Sequence, residues 1–423
     1  MQKVKTYPSG MQLVVETMPN YESVSFNMFV NTGSMNEDDK NRGISHLIEH
    51  MNFKGTKKRS ALDIVIRLDA IGAAVNAYTS KTETVYYTKS TAEGLNECVD
   101  ILSDMYFNSV FDKKELAREK KVVVEEISMY NDNPQAVADE LASSVFYKGT
   151  AMEHDVAGSK TSVRNITREQ ILDYKNRFYL PSNLILSFAG NVTFEEAENL
   201  AQNFFEANFK SKSKPILVKT PEVLTVPQTK YVKKFKDNEQ AQIVISYPSL
   251  NIHDKDYYEL TIFNVIWGRG MSSRLFQTIR EKLGLVYSIF SEVEQSNLGG
   301  SINIYLGTTF KNSTLAVKTL GNSIREIAEN GVTAEELRDA KTQVINTFKL
   351  NYEDTARTSL FNAKHLAVYG TLITKEEVIK KIEELTLART NAVANKIYSS
   401  QNFVIASVGK DMKTDLLKVF KNN

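Results

Sequence analysis

Short runs of alternating apolar and polar residues mark the N-terminal part of the 423-residue chain. Residues 11–17, 24–31, 73–79 and 84–89 each place apolar side chains on one face of an extended segment, with valine, threonine, tyrosine and phenylalanine frequent among them. That composition with a period of two predicts strands. Residues 1–7 contain no long apolar run and begin directly with a strand pattern. The turn between the last two runs is short, which favours an antiparallel pair. Further along, the apolar period lengthens to that of a helix over 92–107, 113–130 and 135–147. Strands grouped beside runs of helices, without strict alternation, predict an α+β fold: helices packed on a largely antiparallel sheet.

The chain also repeats itself. Tyr179, Asn183 and Gly190 recur as Tyr398, Asn402 and Gly409, all three at one constant offset (398 − 179, 402 − 183, 409 − 190). Lys114-Glu115-Leu116 recurs as Glu335-Glu336-Leu337 at an offset two positions longer (335 − 114), which sets Ala340 against Glu119 and Thr347 against Glu126. Between the copies lies the polar stretch Lys210-Ser211-Lys212-Ser213-Lys214-Pro215, followed by Pro221 and Pro227, which reads as an extended linker. Two tandem homologous domains, 1–217 and 218–423 with the boundary near Val218, follow from this.

Composition narrows the function classes. Fifty-two Lys and Arg against 51 Asp and Glu leave the chain near neutral, so nothing calls for nucleic acid or an anionic membrane as partner. The basic run Lys57-Lys58-Arg59 and the one from Lys210 to Lys214 read as solvated loop. Cys98 is the single cysteine, so no intrachain disulfide forms; in an apolar helix with Leu95, Val99 and Leu102 it is expected as a packed core thiol. No signal peptide or transmembrane run is evident, and a cytoplasmic address is the expectation.

Two of the five histidines stand in His46-Leu47-Ile48-Glu49-His50. On a helix, positions four apart share a face, so both imidazoles can bind one metal ion, with Glu49 beside them to take a proton from water. This is the H-x-x-E-H order, the inverse of H-E-x-x-H. A catalytic zinc site usually has three protein ligands. Glu119 and Glu126 lie two helical turns apart on 113–130, on a face that Val122 and Val123 mark as buried. A buried carboxylate is costly unless paired or bound to metal. Glu126 is therefore the candidate third ligand and Glu119 the candidate brace for a histidine. For an isolated glutamate, the ordinary reading as a surface residue is favoured by roughly four to one; the neighbouring valines and histidines shift that balance.

Taken with its flanks, the motif resembles the pitrilysin-type inverzincin metallopeptidases, in the short-chain branch related to mitochondrial processing peptidase and its bacterial homologues. The resemblance is carried by Gly43 through Thr56, by Asn76-Ala77-Tyr78-Thr79-Ser80 with Thr82-Glu83-Thr84, and by the separation of Glu126 from His50 (126 − 50). Gly270-Met271-Ser272-Ser273-Arg274-Leu275-Phe276 and Arg280 to Tyr287 extend it into the second half. It implies an endopeptidase with one zinc ion per chain on His46, His50 and Glu126, Glu49 as the acid–base, and Glu119 as an auxiliary carboxylate. It also implies an edge strand to which extended peptides add, making Asn76, Ala77 and Phe53 substrate contacts. Arg280 and Tyr287 would support the substrate carbonyl, reaching the site from the other subunit of a dimeric clamshell. As bare residues, an exposed arginine and a core tyrosine are the commoner reading. Retention of all the metal ligands together with the Arg/Tyr pair favours a homodimer over one half of a heterodimer. The competing readings are a non-proteolytic peptide-binding or scaffold subunit of the same fold, and a hydrolase of a non-peptide substrate. Arg269 interrupts what is an all-glycine stretch in many relatives, and His154, His253 and His365 have no motif around them.

Overall fold

A computed structural model describes residues 2–209, 224 and 228–421. The expected linker and the boundary near Val218 fall outside the described residues. Two sheets form. The first contains β1 (Gln2–Thr6), β2 (Gln12–Thr17), β3 (Ser23–Val30), β4 (Ala74–Thr79), β5 (Thr84–Thr91) and β6 (Leu184–Gly190), in the order β1-β2-β6-β3-β5-β4. The second contains β7 (Lys230–Lys234), β8 (Gln240–Ser249), β9 (Ser288–Ser296), β10 (Gly299–Thr309) and β11 (Val404–Val408), in the order β7-β11-β8-β10-β9. Each sheet has one parallel pair, β2 with β6 and β7 with β11; the other pairings are antiparallel. The fold is α+β with two homologous domains, and among the described residues the second sheet repeats the first without its outer strand β1.

The strands form where the alternation placed them. The four N-terminal runs agree with β2 to β5 to within two residues, and β4 pairs with β5 as the short turn requires. The helices are Leu95–Asn108, Lys113–Asp132 and Pro134–Phe146. Cys98 is fully buried, as its apolar neighbours imply. The reading of Arg59 as solvated loop is corrected. Lys57 and Lys58 are exposed, but Arg59 turns inward and ion-pairs with Asp100 and Asp104, the latter almost fully buried.

Two compact units result, and each draws on non-adjacent stretches. The first unit comprises Met1–Ile127, His154–Lys219 and Phe348–Lys375; the second comprises Ser128–Glu153, Thr220–Thr347 and Glu376–Asn423. The sequence halves 1–217 and 218–423 thus each lend a helix to the unit of the other. In the first unit, helix Thr355–Tyr369 sets Ala363 and Leu366 against Val14, Phe29, Val85 and Ile185 of the sheet. In the second, helix Pro134–Phe146 sets Val137, Ala138 and Ala142 against Val244, Tyr305, Ala406 and Val408. The two helices start alike, at the longer of the two repeat offsets (354 − 133). Asn133 accepts from the amides of Gln135 and Ala136, and Asp354 from those of Ala356 and Arg357. A capping side chain of this kind satisfies otherwise orphaned amides.

The opposite face of the first sheet carries the larger core. Phe26, Met28, Leu186 and Phe188 pack there against Leu47, Met51, Leu102 and Tyr174 from the helices, all essentially fully buried. This core fixes the helix Ile44–Asn52 against the sheet. No helix among the described residues is long and apolar enough to cross a membrane.

Candidate metal centre

The helix Ile44–Asn52 is seated by Ile44, Leu47, Ile48 and Met51, none of them exposed. Gly43 begins it with φ 88°, and a Cβ there would meet the carbonyl of Ala157 at 2.4 Å, so the position requires glycine. Glycine cannot cap with a side chain. The Glu37 carboxylate does so instead, accepting from the amides of Gly43 at 2.7 Å and Ser45 at 2.8 Å. Burial pushes the Glu37 carboxyl up to about 7, against the pull of those two amides and of Lys81.

His46 and His50 emerge on one face with their Nε2 atoms 3.3 Å apart. Glu126, from helix Lys113–Asp132, brings Oε2 to 3.8 Å from His46 Nε2 and 3.6 Å from His50 Nε2. A tetrahedral ion with bonds of about 2.1 Å separates its ligands by about 3.4 Å. The three donors therefore already lie close to the edges of such a tetrahedron, and no fourth histidine, cysteine or carboxylate joins the group among the described residues. A set of two imidazoles and one carboxylate suits zinc.

Glu119 lies one face-repeat earlier on the same helix, almost fully buried, and its Oε1 accepts from His50 Nδ1 at 2.9 Å. That bond fixes the His50 tautomer and leaves Nε2 as a free lone pair. Lys54 pairs with the other Glu119 oxygen at 2.9 Å. Burial alone would raise the Glu119 carboxyl; the bonds from His50 and Lys54 hold it below its usual range. Burial, aided by the charge of His50, pushes His46 down to about 4. Burial acts the same way on His50, but the bond to Glu119 and the charges of Glu49, Glu119 and Glu126 outweigh it and raise His50.

Glu49 is 8% exposed and accepts from the Thr79 hydroxyl at 2.6 Å. Burial raises its carboxyl; Thr79 and His50 pull the other way, and Glu126 adds to the rise. A carboxylate poised in this way is suited to exchanging protons with water. Thr79 ends β4, beside whose other side no strand lies among the described residues, so Asn76 and Ala77 lie on a sheet edge there. The Ala77 amide is held by the side chain of Asn76 at 2.8 Å. Phe53 caps the C-terminus of the histidine helix, partly buried against the core with its ring 6.2 Å from that of Tyr86.

His46, His50, Glu49, Glu119 and Glu126 are thus brought together. Arg280 and Tyr287 belong to the second unit. Arg280 lies in a π-helical segment, Phe276–Lys282, and stacks on the Phe276 ring at 4.4 Å. Tyr287 is 74% exposed, so the ordinary reading of a core tyrosine does not hold. Of the two valines expected to mark a buried helix face, Val123 is buried and Val122 is exposed. Arg269 is exposed, and His154, His253 and His365 form no metal-binding group with other residues among those described. Sequence reasoning missed Glu37, Lys54 and the role of Thr79. Lys54 stands four residues after His50, one turn on, and that spacing was the available signal for it.

The chain is similar to known proteins over most of its length. Residues 12–160 match the family described as Insulinase (Peptidase family M16), and residues 165–344 match the Peptidase M16 inactive domain. An uncharacterized zinc protease of Bacillus subtilis, YmxG, is 32% identical over 96% of this chain and 98% of its own length. An uncharacterized zinc protease of Rickettsia bellii is 32% identical over 94% of this chain and 95% of its own. A protease from Helicobacter pylori shares the fold with a TM-score of 0.88 at 20% identity, covering 97% of this chain and 99% of that one. The chain belongs to the insulinase family of peptidases, family M16.

Proposed function

We propose that this protein is a zinc-dependent endopeptidase acting on unfolded peptides or presequences. The observation that carries the reading is the donor set itself: His46, His50 and Glu126 at near-tetrahedral spacing beside a buried, hydrogen-bonded Glu49. Zinc bound there supplies Lewis-acid chemistry, polarising a peptide carbonyl and making water more acidic. Glu49 takes the proton from the attacking water and passes one to the leaving amine. Thr79 holds the Glu49 carboxylate in place, and Glu119 holds the His50 ring.

The open edge of β4 supports binding of an extended peptide as an added strand, with Asn76 and Ala77 as backbone contacts and Phe53 nearby at the end of the histidine helix. For the Ala77 amide to engage substrate, the Asn76 side chain must release it. In this reading Arg280 and Tyr287 donate to the carbonyl oxygen as charge develops on it. They do so from a second copy of the chain, in a homodimeric clamshell with one zinc per chain.

The direct test is incubation of the purified, zinc-loaded protein with a pool of unstructured peptides, with products read by mass spectrometry. Internal cleavages that vanish with a chelator and in Glu49→Gln are expected. Absence of cleavage by the wild type would replace this reading with a peptide-binding scaffold or a partner-dependent subunit.

A further inference from the structure

A cavity of about 840 Å³ opens on the first unit between helix Lys113–Asp132 and the segment leading into helix Arg168–Phe178. None of the metal-site residues lines it. Its helical wall points roughly 140° around the helix from Glu119 and Glu126, at about 100° per residue. The floor is apolar, formed by the buried Leu116, Val124 and Ile166.

The walls carry Lys113, Lys120, Lys121, Arg164 and Arg168 against only Glu125 and Glu169, a local excess of three positive charges (5 − 2) in a chain of net charge +1. Among the described residues no carboxylate lies within ion-pair distance of any of the five. Lys120 donates to the carbonyl of Arg164 at 3.0 Å, and Arg168 to the carbonyls of Val110 and Phe111 at 3.0 and 2.9 Å. Those bonds fix the two side chains without neutralising them. The first turn of the 11-residue helix Arg168–Phe178 also opens here, adding the positive end of its dipole. Much of that end is already used, because Thr167 Oγ1 accepts from the Gln170 amide at 3.2 Å and the Glu169 carboxylate bonds to its own amide and to Thr167.

We propose that this cavity binds a small amphiphilic anion, a phosphate monoester carried on an apolar body. The volume is that of a small-ligand site, and the apolar floor gives the body a surface to cover. The excess of charge favours a dianion over a carboxylate. Arg164 offers a planar fork and Lys121 an ammonium to the phosphate oxygens. This site is independent of the peptidase reading.

The test is calorimetric titration of the full-length protein with phenyl phosphate, inorganic phosphate and benzoate. Phenyl phosphate should bind with a Kd on the order of 0.1 mM, and the other two at least about tenfold more weakly, because one lacks the apolar body and the other the second charge. Lys121→Glu/Arg164→Glu should weaken phenyl phosphate at least about tenfold with an unchanged melting temperature. Lys121→Ala/Arg164→Ala, which adds no charge, should weaken it less and serves if the reversal disturbs folding. Undiminished binding in both double variants would assign the anion to another site, such as the metal centre. That result, or no binding of phenyl phosphate, overturns the proposal.

Discussion

The two sheets share a strand order and the place of their one parallel pair, yet a group of side chains able to hold a metal assembles only on the first among the described residues. The helix following β3 is Ile44–Asn52, and the helix following β8 is Tyr257–Trp267. Both bury apolar faces, Ile44, Leu47, Ile48 and Met51 in one, Leu260, Phe263 and Trp267 in the other. The second helix contains no histidine. The long helix Ala334–Asn351 has Ala340 and Thr347 where Lys113–Asp132 has Glu119 and Glu126 in the repeat alignment. The shared frame rests on apolar patterning and caps, while the site rests on five polar side chains from two helices. A fold of this kind can be copied whole while its metal donors are kept in one copy only.

The buried glutamates of the two equivalent helices sharpen that contrast. Glu49 accepts from a threonine hydroxyl and has no lysine or arginine within ion-pair distance among the described residues. Glu259 is 1% exposed and ion-paired with Arg389 at 2.8 Å. The first is held by a hydroxyl; the second shares its one arginine with Asp256, at 2.9 Å, and neither of its oxygens accepts a hydrogen bond among the described residues. Glu49→Gln should lower peptide cleavage by about 10³-fold with metal retained. Glu259→Gln should leave cleavage per folded molecule unchanged. Equal losses of activity in the two variants, measured as kcat/KM, would erase the distinction between the repeats.

A smaller effect separates ligand from brace on one helix. Glu119→Gln should weaken metal retention about 10–100-fold, the usual cost of losing a partner to a coordinating histidine. Glu126→Gln should weaken it further, because a donor is removed outright. Chelator competition gives both values, and the reverse order would exchange the assigned roles. In the second repeat, Thr347→Glu should confer no metal binding, since the helix equivalent to the histidine helix supplies no imidazole.

The smallest effect concerns the cap of the histidine helix. Burial raises Glu37 from the usual 4.5 to about 7, so the folded state holds its proton more tightly than the unfolded chain. Its contribution to stability is therefore fully present below about pH 4.5 and is lost as the pH rises toward 7. Relative to wild type, metal-free Glu37→Gln should gain stability over that interval. A denaturation difference that stays flat with pH, or moves the other way, would contradict this account of the cap.

Much of the site could be read in the sequence because its elements are local. His46, Glu49 and His50 share one helical turn, and Glu119 and Glu126 share a helix face, so periodicity alone groups them. The strands were legible from short runs rich in β-favouring residues, as in β2 to β5, although β3 is buried on both faces. Arg59 was misread because its partners Asp100 and Asp104 lie 41 and 45 residues away, on a helix remote from its loop. Glu37 was missed because a carboxylate capping a helix that begins seven residues later follows no fixed spacing.

By itself, then, the sequence determined the class of fold, the duplication and the side chains able to hold a metal, because each follows from spacing within one element or from an offset along the chain. Only the tertiary structure decided that Glu126 meets the histidines at 3.6 and 3.8 Å, close to tetrahedral spacing, that Thr79 holds Glu49, and that each repeat gives a helix to the other unit. Those outcomes depend on packing between elements far apart in the chain. The core of Phe26, Leu186 and Phe188 beneath Leu47 and Met51 fixes the histidine helix, separate apolar clusters seat the exchanged helices, and no local pattern encodes that geometry.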